Sequence, residues 1–406
     1  MLHDVNNSGD DTTRGFFAVD RRTWARVCGV GVNGAVSYLV LGRGTAADNC
    51  TTAWSVQAIE KYAGLSRGKA SAGVQVLQEH GFVHLLRGGT KPKYELLSYL
   101  EIPGTDPRQP LNFSEDRVVG LVQGGKEVRG CDRAYARRAA QKGWLVEGGS
   151  GSFTVASEPA SAPDWIWLPN ELVTGAANET PPIELVRQTQ DVMTLRMLVD
   201  FYHAQNLRED GGIGRMFTYQ TFNRFEVGRQ AQFTIWGFRQ GAGWVLWEGP
   251  TVCHRREKLT DAEKAAGKNA AIDFFRRQEQ LTDLGLIEWV PHLFESDELS
   301  AEIIHPVGLT GTASLEDRLG RAAHEAGQAM LTDRQRDWAA ENGLWLAPVP
   351  RHVANVQMIG VARLRYRPHT RVTAAWWADL NAKGERYIAQ YRALAGSRVQ
   401  PSVGSL

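Results

Sequence analysis

The order of apolar and polar positions is sharpest between residues 33 and 97. Val36, Leu39 and Val40 recur at helical spacing behind a capping Asn33, and Gly42 ends the run, which predicts a short helix to about Leu41. After a loop over Gly42 to Thr52, Ser55 is a good N-cap. Trp54 and Ile59 have the spacing of a hydrophobic staple, so a second helix is expected to reach Ala63 and stop at Gly64. Ser66 caps a third helix, whose Ala70, Gly73, Val74 and Leu77 fall on one face. Beyond Gly81 the period shortens, and Phe82 to Leu86 and Tyr94 to Leu97 read as two strands around the turn Arg87 to Lys93.

One junction recurs. Leu77 to Val83, Leu281 to Ile287 and, more loosely, Ala139 to Leu145 each close a helix with an apolar residue. In each, a glycine suited to the left-handed C-cap follows and apolar residues open a strand. The third copy ends a cationic helix, Asp132 to Lys142, and leads into a hairpin over Gly143 to Val155. Further on, Trp165 to Asn170 precedes a core helix predicted over Glu184 to Gln205. A long helix is predicted over Asp261 to Leu284, with strands Leu286 to Val290 and Ala301 to His305 after it. Turn-rich stretches at Pro103 to Pro110, Glu158 to Pro163 and Gly308 to Ala313 divide the chain into segments 1–100, 101–160, 161–310 and 311–406.

Charge changes this picture only when read locally. Lysine and arginine number 46 against 45 acidic residues in 406, a formal +1 that argues against a polyanionic partner. Yet Lys61 to Lys93 carries a local +5, as do Arg117 to Lys142 and the stretch from Asn342 to Ala378, which has no acidic residue. Within the last, Arg363, Arg365 and Arg367 alternate and are expected to project from one face of a strand, suited to phosphate or an acidic partner. Cys28, Cys50, Cys131 and Cys253 have no zinc or redox spacing, the N-terminus lacks the pattern of a targeting peptide, and no apolar run reaches membrane-span length. A cytoplasmic protein is the expectation.

The outward face of the third helix carries Gly68, Lys69, Ala72, Gln75 and Glu79. Gly68 and Ala72 are small enough for close approach to a groove wall or a thymine methyl, and Lys69 and Gln75 can reach phosphates or base edges, Gln75 being suited to adenine. Ser66 and Arg67 lie at its N-terminus, and Arg87, Lys91 and Lys93 load the following turn with cations. Two helices joined this tightly make a helix-turn-helix. From about Ala35 to Leu97 the segment resembles the winged helix-turn-helix modules of bacterial regulators and of plasmid and phage replication initiators. The expected fold class is therefore α+β, with tandem winged-helix modules and an additional C-terminal α/β unit. Segment 161–310 is expected to hold the second module. Its wing tip is acidic at Glu295, Asp297 and Glu298, cations precede it at Arg255, Arg256, Lys258, Lys264 and Lys268, and Arg276 and Arg277 lie in its helix.

The resemblance implies double-stranded DNA as partner, host replication proteins as recruited factors, and a homodimer or repeated sites on a plasmid in the nucleoid. The residues expected at DNA are Ser66, Arg67, Lys69, Ala72, Gln75, Arg87, Lys91, Lys93, Arg133, Arg137, Arg276, Arg363, Arg365 and Arg367. Two alternatives stay open. One is a transcriptional regulator responding to a ligand near Trp236, Trp244 and Trp247, and the other is a docking adaptor whose winged helices bind protein. No catalytic residue, metal or cofactor is expected. Gly64 to Lys69 is too short for a Walker loop, His324-Glu325 lacks a second histidine, and Tyr387 with Tyr391 lacks the metal motif of a rolling-circle nickase.

Overall fold

A computed structural model of the chain describes residues 15–246 and 270–396, apart from 47, 100, 103–110, 131, 149–150, 157–162, 178, 216, 299, 309–313 and 368–370. The turn-rich stretch 103–110, the cations Arg255, Arg256, Lys258, Lys264 and Lys268, the Trp244 side chain and Trp247 lie outside these residues, as does the start of the helix expected from Asp261. The fold is mixed, 46% helical and 25% strand. Every strand pairing among the described residues is antiparallel, as suits an α+β protein. The chain forms two compact units, residues 1–196 and 197–406.

The first unit is built round helix Val32–Arg43, which is apolar on all sides and buried from Gly34 to Gly42. A helix of that composition needs cover from every direction. Helices Val56–Ala63 and Arg67–Glu79 supply part of it, with the left-handed Gly64, φ 60°, closing the first of them. Ser55 caps that helix as expected, its hydroxyl accepting from the Gln57 amide, and Trp54 stacks on Tyr62 at 5.0 Å. Strands Thr51–Thr52, Lys93–Leu96 and Val83–Arg87 form a three-stranded sheet in that order. The element order is thus helix, short strand, helix, turn, helix, hairpin.

Gly73 sets how closely the third helix approaches the first. A Cβ there would stand 2.5 Å from Ser37 Oγ and 3.2 Å from the Asn33 carbonyl oxygen. Gly73→Val is therefore expected to lower stability by about 1–3 kcal/mol through overpacking, read as a lower urea midpoint with an unchanged m-value.

The unit is closed by segments far apart in sequence. Strand Phe16–Asp20 pairs with Trp165–Pro169, and Asp20 also caps helix Arg21–Val27, accepting from the Arg22 and Thr23 amides, while receiving the Asp164 amide. Helix Pro182–Gln188 packs on helices Val32–Arg43 and Val56–Ala63, with Arg187 Nε donating to the Ala63 carbonyl at 2.6 Å. The single helix expected over 184–205 is in fact two, Pro182–Gln188 and Val192–Ala204. Between them Thr189 Oγ1 and Gln190 Nε2 take the ending carbonyls of Val186 and Arg187, Gln190 adopts φ 58°, and Asp191 accepts the Met193 amide. Side chains competing for the backbone at both ends outweigh the apolar periodicity there.

Residues 111–156 hold helix Phe113–Gln123, started by an Asn112/Glu115 capping box, helix Asp132–Gln141, and hairpin Leu145–Glu147 with Phe153–Val155. Val118, Val119, Val128, Ala136, Ala139 and Leu145 form their core.

The second unit is a six-stranded antiparallel sheet in the order Ile303–Pro306, Ile287–Phe294, Gln357–Leu364, Thr218–Gln230, Phe233–Leu246, Trp345–Pro350. Phe238, Leu293, Ala347, Val349 and Met358 form one core of it. Helices Leu315–Ala329 and Arg371–Gly396 pack together through Leu319, Ala323, Ala326, Ile388 and Tyr391. Two expectations change here. Helix Ala270–Asp283 does lead into a strand and hairpin, but strand Ile287–Phe294 is inner, flanked by Ile303–Pro306 and Gln357–Leu364, and is not the free wing of a second module. Its burial explains this, since all five residues from Val290 to Phe294 are buried. Residues 345–364, expected in a separate C-terminal α/β unit, supply strands of the same sheet.

Candidate nucleic-acid interface

Helix Arg67–Glu79 divides as its sequence requires. Ala70, Gly73, Val74 and Leu77 are buried, and Ser66, Arg67, Gly68, Lys69, Ala72, Gln75 and Glu79 are exposed. Backbone geometry makes Ser66 the N-cap residue, yet its hydroxyl makes no capping bond, so it stands with Arg67 at an exposed, partially positive helix end. Nothing crowds Gly68 within 4 Å. Gln75 Nε2 donates to Glu79 Oε1 at 2.8 Å across one turn of this face.

Beside the helix, strands Val83–Arg87 and Lys93–Leu96 set Arg87 opposite Lys93, and Arg87 Nε donates to the Lys91 carbonyl at 3.2 Å, closing the turn. Gly89, at φ 96°, permits that tight course. Arg87, Lys91 and Lys93 are all exposed. Among the described residues, the side chains of Arg67, Lys69, Lys91 and Lys93 meet no carboxylate. Four cations without a counter-ion and Arg87, spread over a helix face and a hairpin, make a surface complementary to a polyanion.

The other expected cations are placed differently. Arg137 pairs with Glu147 at 3.0 Å, Arg117 with Asp132 at 2.5 Å, Arg129 with Glu127 at 2.6 Å, and Lys142 with the buried Glu115, so four of the seven cations of that window are held in ion pairs, and Glu147 and Glu115, which lie outside it, offset two of its five excess charges. Arg133 is exposed, its Nε 3.4 Å from the Val128 carbonyl. Arg276 is exposed beside Asp273 at 3.6 Å.

Arg363 corrects the expectation of a projecting arginine row. It is 1% exposed, donating through Nε to the Gly211 carbonyl at 2.9 Å, through Nη1 to Glu316 at 2.8 Å and through Nη2 towards His292 Nε2 at 3.3 Å. Arg367 is mostly buried against Glu288 at 2.5 Å and the Trp377 ring, and only Arg365 stays exposed, over the Tyr366 ring. Arg363 therefore has no access to phosphate, and Arg367 is turned to Glu288 and Trp377 with only a small part of its side chain exposed. The sequence shows alternation but not which face is covered, and helices Leu315–Ala329 and Arg371–Gly396 bring that cover.

The second unit also holds a cavity of about 860 Å³ lined by Asp210, Arg215, His292, His305, Trp376 and Lys383. Both histidines are buried, each 2% exposed. Burial, and for His292 the neighbouring Arg363 guanidinium, pushes their pKa values down to about 3 for His292 and about 4 for His305. Nδ1 of each faces a carbonyl, Val290 or Pro306, and so carries the proton. Nε2 then accepts from Arg363 in His292 and from the Tyr391 hydroxyl, at 2.8 Å, in His305. The hydroxyl of Tyr391 is thus held in the core, with its ring stacked near Tyr387.

Sequence reasoning did not anticipate Glu316 as the counter-ion of Arg363, nor Asp20 as the junction of strand, cap and distant loop. Aspartate at the end of an apolar strand before Arg21 and Arg22 is an N-cap signal that was there to be used. Comparison with known proteins finds no matching family model, no similar curated protein and no similar solved structure.

Proposed function

We propose that residues 32–97 are a winged helix-turn-helix that binds double-stranded DNA, within a replication initiator of a plasmid or phage. The observation that carries the reading is the exposed set Arg67, Lys69, Arg87, Lys91 and Lys93, arranged round a helix whose outward face is small at Gly68 and Ala72. The element order and the sheet order, with the short strand Thr51–Thr52 beside the returning strand Lys93–Leu96, support the winged-helix part. In this reading helix Arg67–Glu79 enters the major groove, the wing at Arg87 to Lys93 holds the phosphate backbone, and duplex melting is left to host proteins. The assignment to an initiator rests on the resemblance of this segment to such modules.

Substituting Lys69, Arg87, Lys91 and Lys93 together by alanine tests it, read by fluorescence anisotropy on duplex DNA across a salt series. Each phosphate contact contributes about 0.9 to the slope of log affinity against log salt, so the slope is expected to flatten by roughly 3 to 4. Affinity at low salt is expected to fall at least a hundredfold. An unchanged slope would leave the docking-adaptor alternative in its place. Initiator and regulator part on a second assay: the protein supplied with a cloned piece of its neighbouring DNA maintains a plasmid lacking its own origin only if it is an initiator.

A further inference from the structure

We infer that Glu79 is a specificity-determining positioning residue, fixing the Gln75 amide in the orientation that reads adenine. The inference rests on the duplex-DNA reading above and goes beyond it by assigning a base preference and the residue that enforces it. Successive groove-facing positions of helix Arg67–Glu79 are Gly68, Ala72, Gln75 and Glu79, at three- and four-residue intervals on its exposed side. The first two carry almost no side chain, so a base edge can come close to the third.

A glutamine amide carries one acceptor oxygen and two N–H donors, and which end faces a partner follows from the partner's chemistry. An ionised carboxylate only accepts. The 2.8 Å contact from Gln75 to Glu79 Oε1 therefore uses the amide nitrogen, because the flipped amide would set two acceptors against each other. With one N–H committed to Glu79, the amide still presents its oxygen and its second N–H side by side. An acceptor beside a donor matches adenine, which offers the N6 amino group as donor and N7 as acceptor in the major groove. Guanine offers two acceptors there, N7 and O6, and mismatches the fixed amide at its oxygen. Without Glu79 the amide turns freely, and discrimination against guanine falls.

Glu79 also brings a negative charge to a surface of cations, and its removal lowers repulsion of phosphate wherever the protein sits on DNA. A residue that merely stabilised the helix would weaken binding to all sequences alike. The positioning role predicts the opposite pairing of effects: reduced selectivity, with non-specific affinity unchanged or raised.

The test uses the full chain. Duplexes are selected from a randomised library by the wild type, Glu79→Gln, Glu79→Ala, Gln75→Ala and the two double variants that combine Gln75→Ala with each Glu79 change, and the preferred duplex is then remade with 7-deazaadenine, which lacks the N7 acceptor, at each adenine in turn. The wild type is expected to show one position preferring adenine about tenfold over guanine, and weakened several-fold by 7-deazaadenine there. Both Glu79 variants are expected to reduce that preference to about twofold or less while keeping their affinity for random duplex, and to add nothing in the Gln75→Ala background. Glu79→Gln is the sharper variant, since it keeps size and helix propensity but can face Gln75 in either orientation. An adenine preference that survives in Glu79→Gln would overturn the inference. Wild-type protein that binds no duplex at any salt concentration would overturn the DNA reading itself, a different and recognisable failure.

Discussion

Glu316→Ala is expected to lower the stability of the second unit by about 3–5 kcal/mol, the range for removing one member of a buried ion pair. Arg363 lies at the centre of the cost. Its guanidinium is 1% exposed, and Glu316, itself mostly buried, is the only carboxylate within 3 Å of it among the described residues. Glu288 stands 4.0 Å away and half exposed, too distant to replace the lost hydrogen bond. What remains closest to the charge is the Gly211 carbonyl, a neutral imidazole and the face of the Trp376 ring, none of them anionic. Removing both charges is a different matter. Arg363→Met with Glu316→Leu replaces the pair by apolar groups of similar size and is expected to cost less than Glu316→Ala alone. Urea denaturation of the three proteins checks this. A double variant less stable than Glu316→Ala would mean that the hydrogen bonds to Gly211 and His292, not the charge pair, hold the sheet at this point.

Mild acid is expected to destabilise the same unit steeply. His292 and His305 have folded-state pKa values of about 3 and about 4, far below the value near 6.5 that an unfolded chain shows. The unfolded state therefore binds more protons than the folded state between about pH 4 and 6.5. Stability rises with pH across that window and is lost as pH falls through it. Each histidine contributes about 1.4 kcal/mol per pH unit once its unfolded form is protonated, so going from pH 7 to 5 is expected to remove on the order of 4 kcal/mol. Asparagine in place of His305 cannot be protonated and is expected to halve that slope, although Tyr391 loses its acceptor and the variant is less stable at pH 7. The urea midpoint measured at pH 7, 6 and 5 decides between these outcomes. A midpoint indifferent to pH would mean that the two imidazoles reach solvent.

The candidate interface was legible in the sequence because its determinants are local. Ala70, Gly73, Val74 and Leu77 define one helix face within eight residues, Gly64 and Gly81 mark its flanks, and the cationic turn follows after one short strand. Charge counting over windows was a weaker guide. It gives Arg117 to Lys142 the same value as Lys61 to Lys93, yet Arg117, Arg137 and Lys142 of the first are held by Asp132, Glu147 and Glu115 while Arg67, Lys69, Lys91 and Lys93 of the second meet no carboxylate among the described residues, and a sum of charges carries no distances. The second unit resisted reading for a related reason. Its sheet takes strands from residue 218 to residue 364, and apart from the hairpin Thr218–Gln230 with Phe233–Leu246 most partners are brought together by tertiary packing that no local period records. Arg363 shows the consequence at one residue: its place in an alternating strand was readable, but its burial depends on Glu316 and Gly211, far along the chain.

The pairing of Phe16–Asp20 with Trp165–Pro169 also has a meaning in time. During synthesis helices Val56–Ala63 and Arg67–Glu79 and the hairpin after them leave the ribosome complete, while the first strand waits for a partner almost 150 residues behind it. At about 5–20 residues per second that interval is roughly 7–30 s. Throughout it Phe17 and Val19, which are buried in the finished unit, lie on an open strand edge. The nascent chain is thus most vulnerable to adopting a wrong partner strand after its cationic helix-and-hairpin surface has already formed.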